Sequence, residues 1–166
     1  MSSHSKQWSP AVLVVEDDEL VRMIVTDILN EAGFRTVEAH DAREAMILLE
    51  ARAEFQVLFT DWNMPGEIDG LGLARLVHKR WPEMGIIITS GKMLPRTGDL
   101  PVGALFLKKP YRPSVLIQEV EDLLSGNGEM EQGAPLIPKG LVSRSPSSHA
   151  AGGGDTAGPP PEADKT

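Results

Sequence analysis

Ala11-Val12-Leu13-Val14-Val15-Glu16-Asp17-Asp18 joins five consecutive apolar residues, mostly β-branched, directly to three acids. A run this short is too brief for a helix, and its lack of polar alternation marks a strand buried on both faces. Phe55 to Thr60, Gly85 to Thr89 and Ala104 to Leu107 repeat the pattern, and each also runs into polar residues: Asp61, Ser90, and Lys108 with Lys109. Arg35 to Ala39 alternates polar and apolar residues and reads as a fifth strand.

Between the strands lie helical stretches. Leu20, Ile24, Ile28 and Ala32 recur on one helical face and stop at Gly33, which suits the residue just past a helix end. Asp41 with Glu44 three residues later opens a second helix through Glu50. Gly70 to Arg80 forms a third that halts before Pro82, and Pro113 starts a last helix ending near Leu124. Strands alternating with helices predict right-handed crossovers and an α/β fold, a parallel sheet covered on both faces. The segment between Ser90 and Val102 departs from this rhythm. Pro95, Gly98 and Pro101 would interrupt any helix longer than a turn or two, so a short or irregular fourth element is expected there.

A length of 166 residues allows one ordinary domain. Composition divides the chain into a polar N-terminus over 1–9, a folded unit over 10–124, and a Gly/Pro/Ser-rich tail over 125–166. That tail contains Gly152-Gly153-Gly154 and Pro159-Pro160-Pro161 and reads as disordered, with a small apolar island at Leu136-Ile137 and Leu141-Val142. The absence of cysteine excludes disulfides, thiolate metal sites and a thiol nucleophile, and His4, His40, His78 and His149 lack ligand spacing. A formal net charge of −8 argues against direct nucleic-acid binding. No apolar run reaches membrane-spanning length and Met1 to Pro10 has no signal-peptide pattern, so no membrane insertion and a cytoplasmic location are expected.

In an open parallel sheet the functional edge lies at the carboxyl ends of the strands. That edge receives Glu16, Asp17 and Asp18 from the first strand, Asp61 from the third, Thr89 and Ser90 from the fourth, and Lys108 and Lys109 from the fifth. With strand order 2-1-3-4-5, Glu16, Asp17 and Asp61 would face one another, and carboxylates so placed each require a proton or a cation. A hard divalent ion held through oxygens is the economical solution, and Mg²⁺ leaves room for waters and a phosphate. Blander readings stand beside this one: acids after strands serve as helix N-caps, Lys108 as a solvated lysine, Trp62 and Trp81 as packing or rim residues, and His78 as a surface residue. Gly70-Leu71-Gly72 bears a partial likeness to a dinucleotide fingerprint but lacks its final glycine and does not directly follow a strand.

Val14-Val15-Glu16-Asp17-Asp18, Thr60-Asp61-Trp62-Asn63-Met64-Pro65-Gly66, Asp69-Gly70, Ile88-Thr89-Ser90-Gly91 and Phe106-Leu107-Lys108-Lys109-Pro110-Tyr111 together resemble the receiver domain of two-component response regulators. The likeness spans about Pro10 to Leu124. It implies a flavodoxin-like three-layer sandwich with sheet order 2-1-3-4-5. It also implies a phosphoacceptor signalling role, with Asp61 receiving a phosphoryl group from a phosphohistidine on a sensor histidine kinase or histidine phosphotransfer protein. By the same resemblance Glu16, Asp17, Asp61 and the backbone carbonyl of Asn63 hold Mg²⁺, with Glu16, longer than the aspartate of many members, acting through water. Lys109 and Thr89 engage phosphate oxygens, Thr89 and Phe106 form the switch to a downstream protein-binding surface, and the Lys109–Pro110 bond is cis. Phe106 lacks the hydroxyl of the tyrosine often found there, which makes the switch steric. Nothing beyond the receiver except tail points to a stand-alone module. The alternative is a Mg²⁺-dependent phosphatase acting on small phosphate esters through Asp61. Such enzymes usually carry a second aspartate two residues on, where this chain has Asn63. A degenerate scaffold without phosphorylation would require a missing acceptor, metal acid or lysine, and all three are present.

Overall fold

The computed structural model describes residues 9–51 and 54–126. Five parallel strands, β1 (Ala11–Val15), β2 (Arg35–Ala39), β3 (Phe55–Asp61), β4 (Gly85–Ser90) and β5 (Leu105–Lys108), form one sheet in the order β2-β1-β3-β4-β5. Four helices connect or follow them: α1 (Glu19–Glu31), α2 (Ala42–Ala51), α3 (Gly70–Arg80) and α4 (Pro113–Leu124).

Alternate residues of each central strand feed opposite cores, as a two-sided sheet requires. Leu13, Val15, Leu58 and Ile88 pack with Ala45 and Leu49 of α2 and with Leu73 and Val77 of α3. Val12, Val14, Val57, Phe59 and Ile87 pack on the other face with Val25 and Leu29 of α1 and with Leu116 and Val120 of α4. The register brings the carboxyl ends level: Val15 pairs with Thr60, Asp61 with Thr89, and Ser90 with Lys108. The functional side chains therefore leave the sheet at one height.

Helix ends follow local chemistry. Asp18 caps α1 by accepting the Val21 amide at 3.1 Å. Its other end closes in a Schellman motif, with Gly33 at φ 94°, its N–H bonded to Asn30 O at 3.0 Å, and the Phe34 N–H bonded to Leu29 O at 3.0 Å. Asp41 accepts the Glu44 amide at 2.8 Å, while the Glu44 carboxylate reaches back to the His40 amide at 2.8 Å.

Two expectations need adjustment. The stripe Leu20, Ile24, Ile28 and Ala32 is not the buried face of α1. Val25, Thr26 and Leu29 are buried, whereas Leu20 and Ile24 are 61% and 48% exposed. Both sets obey helical spacing, and the sheet selected the one rotated by about one residue. The fourth crossover, residues 91–104, contains turns and no helix at all. It is held instead by polar ties: Ser90 Oγ accepts the Met93 amide at 3.0 Å, Asp99 Oδ2 accepts the Arg96 amide at 2.7 Å, and Arg75 donates twice to the Asp99 carbonyl at 2.7 and 3.2 Å. Leu100 and Ala104 bury beneath it. The tail over 125–166 lies outside the described residues from 127 onward, and so does the N-terminal segment over 1–8. No helix of the described residues is long and apolar enough to cross a membrane.

Candidate functional site

Each strand delivers its polar residue through one further backbone bond in the ladder direction. Glu16 N–H bonds to Ala39 O at 3.1 Å, Trp62 N–H to Thr89 O at 2.8 Å, and Lys109 N–H to Ser90 O at 2.9 Å. Residues 93 positions apart thereby meet: Lys109 Nζ stands 3.2 Å from Glu16 Oε2 and 3.6 Å from Asp61 Oδ1. Carboxylate oxygens of Glu16, Asp17 and Asp61 all lie within 4.8 Å of one another. Glu16 and Asp61 are buried and Asp17 is exposed.

The electrostatics are those of a site short of positive charge. Burial, followed by the Asp61 charge, pushes the Glu16 carboxyl up to about 7, against the opposing pull of Lys109 and the Asp18 amide. Burial also raises Asp61, with Lys109 opposing and Asp17 reinforcing the rise. One ammonium thus compensates three acids incompletely. A donor set made only of oxygens suits a hard divalent cation such as Mg²⁺, so the residues present fit that ion.

Glu16 is the fixed point of the β1–α1 turn. Its Oε1 accepts the Asp18 amide at 3.2 Å and its carbonyl accepts Arg22 Nη1 at 2.7 Å. Asn63 is exposed and its side chain donates to Ser90 Oγ at 3.4 Å. Thr89 is fully buried, and its Oγ1 is the single buried side-chain polar atom without a hydrogen-bond partner among the described residues. Phe106, 4% exposed, is more buried than a half-buried strand residue and meets Trp62 edge-on, with ring centroids 6.3 Å apart. Trp62 is buried packing, and Trp81 is half-buried with the Arg80 guanidinium over its ring at 4.6 Å. Lys108 is exposed, as a solvated lysine should be, and the Lys109–Pro110 bond is cis.

All the acids, Thr89 and Lys109 reach the one rim. Sequence reasoning passed over two structural partners of the site. In the sequence Gly70 reads as part of a partial nucleotide fingerprint or as half of an Asp-Gly pair, yet its role is steric. A Cβ there would stand 1.6 Å from the Asp61 carbonyl oxygen and 2.9 Å from Thr60 Oγ1. A glycine at the first position of a helix that follows the acid-bearing loop was the available signal. Arg22 carried none, because an arginine on an amphipathic helix reads as solvated.

The model of the response regulator receiver domain family matches residues 12–121. The chain is 38% identical over 125 residues to a chemotaxis protein CheY homolog of Campylobacter jejuni, covering 71% of this chain and 95% of that one. It is 37% identical over 122 residues to chemotaxis protein CheY1 of Helicobacter pylori, covering 70% and 98%. Among solved structures, the receiver domain of NtrX from Brucella abortus is 30% identical with a TM-score of 0.60 over 69% of this chain and 98% of that one. The receiver domain of the Francisella response regulator 1452 is 28% identical with a TM-score of 0.62 over 72% and 99%. These matches give the phosphatase alternative no support. With the sheet order, the acid cluster and the lysine in place, the chain belongs to the receiver domain family of response regulators.

Proposed function

We propose that this receiver carries its phosphoryl group on Asp61, taken from a phosphohistidine of a sensor histidine kinase or histidine phosphotransfer protein, with Mg²⁺ as cofactor. An Asp61 carboxylate oxygen attacks phosphorus in line, the phosphorus–nitrogen bond to the donor breaks, and the imidazole leaves with the electron pair and takes up a proton. Most of the acceleration comes from positioning and charge neutralisation. Lys109 is already drawn to Asp61 and offers its ammonium to one phosphoryl oxygen. Thr89 Oγ1, lacking a partner, is free to donate to another. Asp17 and Asp61 would hold the ion directly, with Glu16 through water and the Asn63 carbonyl completing the set. When bound, Mg²⁺ supplies the positive charge that the three acids lack and shields the transferring oxygens. Attack of water on the same acyl phosphate returns Asp61 to its free state.

Recruitment of Thr89 toward the phosphate shifts the population toward a second surface that a downstream protein reads, with Phe106 following sterically against Trp62. We place the receiver at 10–124 and the protein in the cytoplasm.

The observation that carries this reading is the convergence of Lys109 on Glu16 and Asp61 beside an unpartnered Thr89 hydroxyl. Incubation with acetyl phosphate and Mg²⁺ should yield a single hydroxylamine-labile phosphoryl adduct by intact mass, absent from Asp61→Asn. An adduct that persists in Asp61→Asn, or none in the parent, would refute it.

A further inference from the structure

Asp17 is exposed, and no hydrogen bond holds its carboxylate among the described residues. It is nonetheless positioned within a cluster of like charges that repel it. Its place must therefore come from the backbone, and the backbone there has an unusual anchor. Arg22, one turn into α1 and only 17% exposed along its side chain, folds back over the β1–α1 turn. Its Nη1 donates to the Glu16 carbonyl at 2.7 Å, and its Nε lies 3.4 Å from Glu38 Oε1 on the neighbouring strand β2. The planar guanidinium spans both contacts with a rigid fork, whereas an ammonium would meet them only from a flexible stem. The bonded carbonyl belongs to the peptide that joins Glu16 to Asp17, so the clamp fixes the plane from which Asp17 projects.

We propose that Arg22 is a positioning residue for the cation site: by holding the Glu16–Asp17 peptide against β2, it pre-organises Asp17 toward Asp61. This rests on the Mg²⁺ site proposed above. Without the clamp the turn would relax and Asp17 would swing toward water, away from its like-charged neighbours. Binding would then have to reorder it, and apparent affinity falls by the fraction of molecules still competent. Simple electrostatics predicts the opposite sign. Arg22 is a cation near the acids, so removing its charge alone should tighten binding of a second cation.

The test is calorimetric titration of Mg²⁺ into the full chain, comparing the parent with Arg22→Met and Arg22→Lys, alongside thermal unfolding in chelator and hydrogen exchange at the Glu16 amide, which is bonded to Ala39 O at 3.1 Å. Arg22→Met should weaken Mg²⁺ binding about three- to tenfold, as expected if the competent fraction drops to between about a third and a tenth. Glu16 amide exchange should rise in the same variant. Arg22→Lys, which keeps the charge and one donor to the carbonyl, should fall between Arg22→Met and the parent. Affinity in Arg22→Met equal to or tighter than the parent overturns the proposal. Should Arg22→Met fail to fold, Arg22→Lys decides: weaker binding supports the clamp, and parental binding overturns it. A parent that takes up no Mg²⁺ overturns the metal site and this proposal together. A parent that binds normally with unaltered variants overturns only the role of Arg22.

Discussion

Lys109 Nζ stands 3.2 Å from Glu16 Oε2, closer than its 3.6 Å to Asp61 Oδ1, so the ammonium rests principally on Glu16. That contact opposes the rise of the Glu16 carboxyl but does not cancel it. Even with Lys109 beside it, burial holds the Glu16 carboxyl at about 7, above its ordinary 4.5.

The first prediction concerns pH. A carboxyl whose pKa is raised on folding binds more protons in the folded chain than in the unfolded one, so its contribution to stability falls as pH rises. In metal-free buffer the loss begins near pH 4.5 and is complete above about 7. Asp61, raised for the same reason, adds to the slope. Chemical denaturation of Glu16→Gln should therefore lose less stability than the parent between these limits. Identical slopes would mean that Glu16 is not strained by burial.

Thr89 supplies a second prediction. A buried hydroxyl without a partner costs folding free energy, and an apolar group of the same shape removes that cost. Thr89→Val should match or exceed the parent in stability by up to about 1 kcal/mol. It should still accept phosphate on Asp61, yet transmit little to a downstream partner. Destabilisation by more than about 1 kcal/mol in urea unfolding would show that the hydroxyl is satisfied in solution.

Gly70 carries a third. A Cβ at 1.6 Å from the Asp61 carbonyl oxygen meets backbone, which cannot rotate away as a flexible side chain would. Either α3 lifts or the carboxyl end of β3 shifts. Gly70→Ala should cost about 3 kcal/mol, the upper end of ordinary overpacking, and should slow phosphorylation beyond its effect on folding. Parental stability in Gly70→Ala would show that the helix can retreat freely.

The acid edge was legible because strand ends are marked in the residues themselves: an apolar run stops and Glu16, Asp61, Thr89 or Lys109 follows, and parallel topology places those ends together. Backbone contacts are a different matter. The closeness of Gly70 to Asp61 and the reach of Arg22 to the Glu16 carbonyl depend on how helices seat against the sheet, which no spacing rule encodes. An interrupted element between β4 and β5 was legible in Pro95, Gly98 and Pro101, but its complete replacement by turns was not, and the Arg75–Asp99 tie that holds them joins distant segments and left no local mark.

The face of α1 gives the last prediction. Two apolar stripes run along this helix, Leu20-Ile24-Ile28 and Val21-Val25-Leu29, and either could have packed on the sheet. Val25 and Leu29 are buried against Val12, Val14 and Phe59, while Leu20, Met23 and Ile24 remain exposed, Ile24 beside Tyr111 and Pro113. At 61% and 48% exposed, Leu20 and Ile24 forfeit about half or more of what burial would contribute. Leu20→Gln and Ile24→Gln should each change unfolding free energy by no more than about 0.5 kcal/mol. Leu29→Ala removes fully buried methyl groups and should cost about 3 kcal/mol through lost transfer energy and a residual cavity. Urea denaturation distinguishes the two stripes directly. If Ile24→Gln proves as costly as Leu29→Ala, the helix sits rotated from the placement described here, and the Arg22 clamp could not reach the Glu16 carbonyl from that position.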